Sequence, residues 1–306
     1  MLDVRKLRVL REVETRGTIA AAAQTMRYTP SAVSQQLAAL QAEAGVKLIE
    51  RVGRTVQLTD AGKRLVRHAD EILARLEEAE AELTAGDDVR GTVRVSAFQT
   101  AALALLPPAI AQLGERHPDL RVEYIEAEAE ESLPLLVAGE LDLVIAEEYH
   151  YLPRPRNERL RREELGRDPI LVALPDDHPL ARRGRPVPLA KLAGEAMGTG
   201  RSDTLFADMV LRACRGAGFE PDIQHRANDL RILLELVASG HAVALAPGLG
   251  NPGGIPGVTA LPTAEPLGRT IFTSVRRSTA RQPAVEALLD ALLAGAQRLD
   301  QRLLAT

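Results

Sequence analysis

Ser31, Ser34, Gln35 and Ala38 recur at helical spacing in TPSAVSQQLAAL (residues 29–40), with Val33, Leu37 and Leu40 on the opposite side. The stretch contains no charged residue. Short, neutral, hydrogen-bonding side chains along the outer edge of a helix suit the reading of base edges in a DNA major groove. The backbone must come close there, and a glutamine can pair with the N6/N7 edge of adenine for about 1–3 kcal/mol of discrimination. Thr29 is placed as an N-cap and Pro30 at the first helical position, so the helix start can also grip phosphate. Arg51 and Arg54 flank Gly53 in VKLIERVGRTVQLT, the pattern of a small β-hairpin, and would form a wing reaching backbone or minor groove. The plainer alternative is a three-helix core whose exposed side happens to be Ser, Gln and Ala.

A reading helix needs a scaffold, and the preceding residues predict one. Leu7, Leu10 and Val13 form an apolar stripe that Gly17 can end, and Thr18 can cap a second short helix through Ala20–Ala23. Met26-Arg27-Tyr28 forms the break, and the third helix runs to about Glu43, with Gly45 as its stop. Helix, short helix, three-residue turn and capped helix make a helix-turn-helix arrangement. Thr59 is then placed to cap a long helix from about Asp60 to Thr84. Along it Leu58, Leu65, Ile72 and Ala79 repeat every seven residues, and Gly62, Ala69, Leu76 and Leu83 form a second series. This narrow seam predicts helix pairing; a helix lying on its own domain is the alternative.

After the polar stretch AGDDVRG the texture changes to alternating α/β. TVRVSAF, LRVEYIE and LDLVIA read as strands, with helices starting near Thr100 and Glu131. A second set follows in ILVALP, AMGTG, PDIQHRA and HAVALAP. VAGELDLVIA (137–146) aligns without gaps to VASGHAVALA (237–246), each a helix end, a glycine turn and a buried strand. Two similar α/β lobes are expected, followed by IFTSVRR and a terminal helix over 283–303.

Composition narrows the classes. With 45% apolar and 26% charged residues the chain is that of a globular protein. Residues 1–62 carry a net charge of +3 and the rest −7, a basic head on an acidic body. The absence of Trp and the scarcity of Phe and Tyr argue against an aromatic platform for single strands. No secretory signal or membrane span is expected, and the lone Cys214 fits a reducing cytoplasm without disulfides. Catalytic and cofactor motifs fail on inspection. GLGNPG (248–253) satisfies GxGxxG literally, but Pro252, Gly253, Gly254, Pro256 and Gly257 exclude the helix a dinucleotide site needs. The six histidines are dispersed, no metal-ligand spacing occurs, and neither GxSxG nor a P-loop is present. Cys214 sits beside Val210 and Leu211 as packing. No catalytic residue, cofactor or metal is expected.

RGTIAAAAQTMRYTPSAVSQQLAALQAEAGVKLIERVGRTVQLTDAGKRL (16–65) resembles the DNA-binding region of LysR-type transcriptional regulators. The alanines before the turn, SAVSQQL in the third helix and LTDAG entering the long helix carry the likeness, which extends more loosely over the whole chain. Ile49 stands where the family usually has phenylalanine, and Ser31 where proline is common.

The resemblance implies a multidomain chain: an all-α, winged helix-turn-helix N-terminal domain (1–58), a long linker helix that dimerises (59–87), and a two-lobed α/β effector domain (88–306) resembling periplasmic binding proteins. Lobe 1 would take about 91–166 and 269–306, and lobe 2 about 167–268. It further implies double-stranded DNA as partner, a homodimer or homotetramer, no membrane, RNA polymerase as a further candidate partner, and a small-molecule effector between the lobes. By that analogy Gln99 and Thr100 in the first lobe, and Arg201 and Ser202 with Asp203 and Thr204 in the second, become effector candidates at helix starts. Routine N-capping is the alternative for Thr100 and Ser202. Glu147 and Glu148 follow LDLVIA near the cleft mouth. Simple solvation is the favoured reading of the pair; one carboxylate facing the cleft would admit an amino-acid-like ligand rather than a plain carboxylate. Two other classes stay open: a small-molecule-binding module with a protein-contact head, and an α/β enzyme with a regulatory head.

Overall fold

The computed structural model describes residues 1–52, 55–84 and 89–303. The chain divides into two compact units, residues 1–85 with 277–282, and 86–276 with 283–306.

The first unit is built on local capping. Asp3 accepts from the Arg5 amide at 2.7 Å to start α1 (Val4–Arg16), and Gly17, at φ +69°, ends it. Thr18 caps α2 (Ile19–Thr25) through the Ala21 amide. Thr29 caps α3 (Pro30–Ala44) through the Ala32 amide at 3.1 Å, and Gly45 closes it at φ +67°. Val33, Leu37 and Leu40 join Leu7, Leu10, Val13, Ala22 and Ala23 in one buried core. β1 (Ile49–Val52) pairs antiparallel with β2 (Thr55–Leu58), Ile49 facing Leu58. Ile49, the residue that departs from the family pattern, packs partly buried against that core. Gln41 holds the hairpin to α3, its Oε1 accepting from the Leu48 amide at 2.9 Å.

The long helix α4 (Asp60–Thr84) starts where Thr59 accepts from the Gly62 amide and donates to the Lys47 carbonyl. The heptad seam is not one surface. Leu65 and Ala69 pack into the head's own core together with Val66, whereas Ile72 and Leu76 are 40% and 39% exposed. The first half follows the alternative of a helix lying on its domain; the second leaves apolar side chains uncovered.

Gly62, part of that seam by spacing, is required by close approach instead. A Cβ there would lie 2.1 Å from the Leu48 carbonyl oxygen. Gly62→Ala should therefore displace backbone and cost the head about 1–3 kcal/mol. Chemical denaturation of the variant checks this, and an unchanged midpoint would show that the joint is slack.

The second unit contains two βαβαβ halves. In the first, β3 (Gly91–Ala97), α5 (Gln99–Arg116), β4 (Leu120–Glu126), α6 (Ala129–Ala138) and β5 (Leu143–Tyr149) place β3 parallel between β4 and β5. Then comes β6 (Leu160–Pro175). The second half repeats the pattern with β7 (Ala196–Thr199), α7 (Leu205–Gly216), β8 (Asp222–Arg226), α8 (Leu230–Ala238) and β9 (Val243–Pro247), β7 lying between β8 and β9. The chain continues with β10 (Val258–Pro262), β11 (Gly268–Arg276) and α9 (Pro283–Leu303). The sheet order is β4-β3-β5-β11-β6-β9-β7-β8, with β10 also on β6. Antiparallel β11 closes the first lobe, antiparallel β6 the second, and the two strands pair with each other between the lobes. The aligned repeats at 137–146 and 237–246 are the α6–β5 and α8–β9 turns, with Gly139 and Gly240 both left-handed.

One difference stands out: β6 is 16 residues long, beginning ten residues before the expected ILVALP. GLGNPG forms 3-10 turns at Gly248–Gly250 and Pro252–Gly254, and Cys214 is buried in α7. No helix among the described residues is long and apolar enough to cross a membrane.

Candidate functional site

On the head, α3 turns Ser31, Ser34, Gln35 and Ala38 to solvent, while Val33, Leu37 and Leu40 are buried. Thr29 and Pro30 are exposed at its start, where the Thr29 hydroxyl is already engaged by the Ala32 amide. The sequence-derived wing residue Arg54 and the Arg51 side chain lie outside the described residues; the Arg51 backbone is in β1.

In the second unit a solvent-open cavity lies between the lobes, with about 490 Å³ of atom-free space counting the solvent at its mouth. The starts of α5, α7 and α8 face one another there. Phe98 is the N-cap of α5 and offers no side-chain hydrogen bond, so the first amides of α5 lack a capping group. Gln99 reaches across the lobes: its Nε2 donates to Asp229 Oδ1 at 2.8 Å, and its Oε1 accepts from the Leu230 amide at 2.9 Å. A second bridge runs through Glu130 Oε1, which accepts from the Leu205 amide of α7 at 3.2 Å and from Arg154 at 3.0 Å. Both bridges join backbone or side chains of one lobe to a helix start of the other.

Beneath them lies a pair that no motif announced. Arg269 on β11 is 5% exposed and donates to Asp168 on β6 at 2.7 Å and to the Thr100 hydroxyl at 2.7 Å. It stacks over Phe98, 4.7 Å from the ring centroid, and Asp168 also accepts from the Leu249 amide at 2.7 Å. Burial works against the Arg269 guanidinium, but the neighbouring Asp168 and Glu147 carboxylates hold it charged. The glycines of GLGNPG find their use here. A Cβ on Gly250 would meet Leu230 at 2.2 Å, and one on Gly248 would crowd Asp168 and Pro169 at 3.1 Å.

The acidic wall corrects one reading. Glu147 and Glu148 lie within β5 rather than beyond it, and strand alternation separates them. Glu148 turns away, accepting from Arg162 at 3.3 Å and from the Arg154 amide. Glu147 is not solvated: it is 3% exposed, lines the cavity, and pairs with Arg154 at 2.9 Å. Burial pushes its carboxyl up despite Arg154 and Arg269. Glu128, which sequence reasoning missed, also lines the cavity; burial, with the charges of Glu147 and Glu130, pushes it up to about 7.

Gln99, Thr100 and Glu147 are thus brought together, and Arg201 and Ser202 are not. Both are exposed, Arg201 pairing with Asp203 beside it. The reason is local: α7 begins a few residues later than the end of MGTG suggested, so Thr204 caps it through the Ala207 amide. Gly200 and Thr204 line the cavity in their place. Among the described residues no group of three or more His, Cys, Asp or Glu could hold a metal ion.

A winged helix-turn-helix unit and a two-lobed α/β unit with an interlobe cavity together define a DNA-binding transcription regulator with an effector-binding domain. Two family models match in the corresponding places: the bacterial regulatory helix-turn-helix protein of the lysR family over residues 4–63, and the LysR substrate binding domain over 86–297. The chain belongs to the LysR family of transcriptional regulators. It is 30% identical over 297 residues to the DNA-binding transcriptional dual regulator OxyR of Escherichia coli K12, covering 96% of this chain and 95% of that one. It is 30% identical over 232 residues to the regulator TtuA of Agrobacterium vitis, covering 74% of each. Among solved structures, a full-length OxyR variant from Pseudomonas aeruginosa aligns with a TM-score of 0.71 at 24% identity over 95% of both chains. Full-length BenM aligns at 0.58, 22% identity and 95% of both. CbnR solved with its target DNA aligns at 0.55 and 22% identity, over 96% of this chain and all of that one. The family consists of transcriptional regulators, so the protein-contact head and the enzyme reading give way.

Proposed function

We propose that α3 reads operator bases through Ser31, Ser34, Gln35 and Ala38, with Thr29, Pro30 and the wing arginines Arg51 and Arg54 on the backbone. A structural relative has been solved on its target DNA, which supports this docking. Two copies pair through the uncovered stretch of α4 around Ile72 and Leu76, giving a homodimer or a homotetramer of such pairs. The operator is then a pseudo-palindrome with half-sites at whole-turn spacing. The protein works in the cytoplasm, with RNA polymerase as its partner at the promoter. The effector is a small carboxylate of amino-acid size, seated at the start of α5 near Thr100.

The observation that carries the effector half is the Gln99 bridge at 2.8 and 2.9 Å, which ties the free helix start of one lobe to the other across the cavity. A ligand between these helix starts biases lobe closure, and coupling of about 1–3 kcal/mol suffices to move operator affinity. The test is electrophoretic binding to the DNA upstream of its own gene, at several salt concentrations and with a panel of carboxylates and amino acids. Steep salt dependence and a shift caused by at least one compound are expected. Thr100→Val should abolish the compound's effect while leaving DNA affinity intact; salt-insensitive or absent binding overturns the reading.

Several relatives are hydrogen peroxide-inducible gene activators, which favours peroxide as the signal. Cys214 argues otherwise. It is the single cysteine of the chain, buried in α7, and burial with the nearby Glu220 charge pushes its thiol up to about 11. Roughly one thiol in 10,000 is ionised at pH 7, and the thiolate is the reactive form. Hydrogen peroxide should leave operator binding unchanged, and Cys214→Ser should behave as the wild type. A peroxide response lost in Cys214→Ser would refute this.

A further inference from the structure

One wall of the interlobe cavity carries more negative oxygen than the protein itself uses. Glu147 gives Oε1 to Arg154 at 2.9 Å, but its Oε2 is buried without any hydrogen-bond partner. Tyr149, two residues on and so on the same face of β5, buries its hydroxyl beside Arg269. Glu128 is the N-cap residue of α6, yet its side chain does not cap the helix and lines the cavity instead. A buried acceptor left open is costly, more so when charged, so such groups ordinarily have a partner.

We propose that Glu128 and Glu147 form a cation subsite that takes the protonated amino group of the effector, with the Tyr149 hydroxyl beside it. An ammonium has three donors and no acceptor, which suits a rim of carboxylate oxygens. The same cavity is lined by the start of α5, which no side chain caps, with Thr100, and this suits a carboxylate. The bound species is therefore an α-amino acid or a close relative carrying both charges, and the amino end decides which small acids are accepted. This rests on the interlobe cavity being the effector site.

Proton release accompanies binding. The charges facing Glu128 are Glu147 on β5 and Glu130 on α6, which raise it, and Arg269 on β11 and Arg154 before β6, which lower it; Arg201 ahead of α7 also senses its charge. Burial and the neighbouring carboxylates raise Glu128, and an arriving ammonium favours its ionised form, so binding releases protons near neutral pH.

The experiment is calorimetric titration of the full-length protein with the proteinogenic amino acids, each paired with its desamino carboxylic acid, in two buffers of different ionisation enthalpy. At least one amino acid should bind, its desamino partner about tenfold to hundredfold more weakly. Glu128→Gln should weaken the amino acid about tenfold and reduce the proton release, and Glu147→Gln should weaken binding by at least as much. The mild Glu128 variant keeps the test decisive if Glu147→Gln folds poorly. Equal binding of an amino acid and its desamino partner overturns the cation subsite but leaves the cavity as the effector site, provided Thr100→Val abolishes both. Binding of neither series overturns the subsite and the effector reading together. Binding that Glu128→Gln leaves unchanged in affinity and proton release also overturns the subsite.

Discussion

Arg269→Met should destabilise the effector-binding unit by about 3–5 kcal/mol, the range found when one partner of a buried ion pair is removed. Asp168 would be left 2% exposed with the Leu249 amide as its remaining support, and Thr100 would lose the donor on its hydroxyl. The stacking of the guanidinium over Phe98 would go as well. Methionine fills similar volume, so the loss would come from an uncompensated carboxylate and not from a void. The control is Arg269→Met combined with Asp168→Leu, which removes both charges and should recover most of the loss. Urea denaturation of the full-length protein reads both. A single variant within about 1 kcal/mol of wild type would mean that water reaches the pair. The functional consequence differs from the thermodynamic one. Arg269 and Asp168 sit on β11 and β6, the strands passing between the lobes, and fix the Thr100 end of the cavity. The double variant should therefore fold and bind operator DNA, yet respond poorly to effector.

Much of the scaffold was legible because its signals are local. Thr18, Thr29 and Thr59 each bond an amide three residues ahead, and Gly17 and Gly45 end helices through their own backbone. Such interactions are written within four residues, as is the alternation of Val33, Leu37 and Leu40 against the exposed edge of α3. The repeat at 137–146 and 237–246 revealed the two lobes for the same reason. The miss at β6 has the opposite cause. Residues 161–168, RREELGRD, are seven-eighths polar or glycine and read as solvated loop, yet they form strand because β11, a hundred residues on, supplies backbone partners. There Arg162 covers the Phe272 ring at 4.4 Å, a charged residue doing the work of an apolar one. Arg269, Asp168 and Glu128 escaped for that reason too. Nothing in their neighbourhood in sequence says that they are buried; partners on other elements decide it. The available signal was faint: a charged residue at the end of a strand that leads into an expected cavity.

Gln35→Ala should relax base preference at one operator position by about 1–3 kcal/mol, roughly tenfold to a hundredfold in relative affinity, without disturbing the head. Gln35 is exposed on α3 and belongs to none of the capping or core interactions, which run through Thr29, Val33, Leu37 and Leu40. Alanine also has the higher helix propensity, so thermal stability should not fall. Arg54→Ala should act differently: it should weaken binding to every sequence alike and reduce the salt slope by about one, because a phosphate contact carries no base information. Binding assays on an operator library at two salt concentrations separate the two outcomes. Ser31 adds a specific expectation. Proline, which the family resemblance leads one to expect at that position, offers no donor, whereas serine offers a hydroxyl on the same exposed edge, one turn before Gln35. The operator of this protein should therefore carry a preference at the neighbouring base pair that Ser31→Pro removes, while the preference read by Gln35 persists. If Gln35→Ala left affinity and base preference both intact, the reading edge of α3 would have to be reassigned.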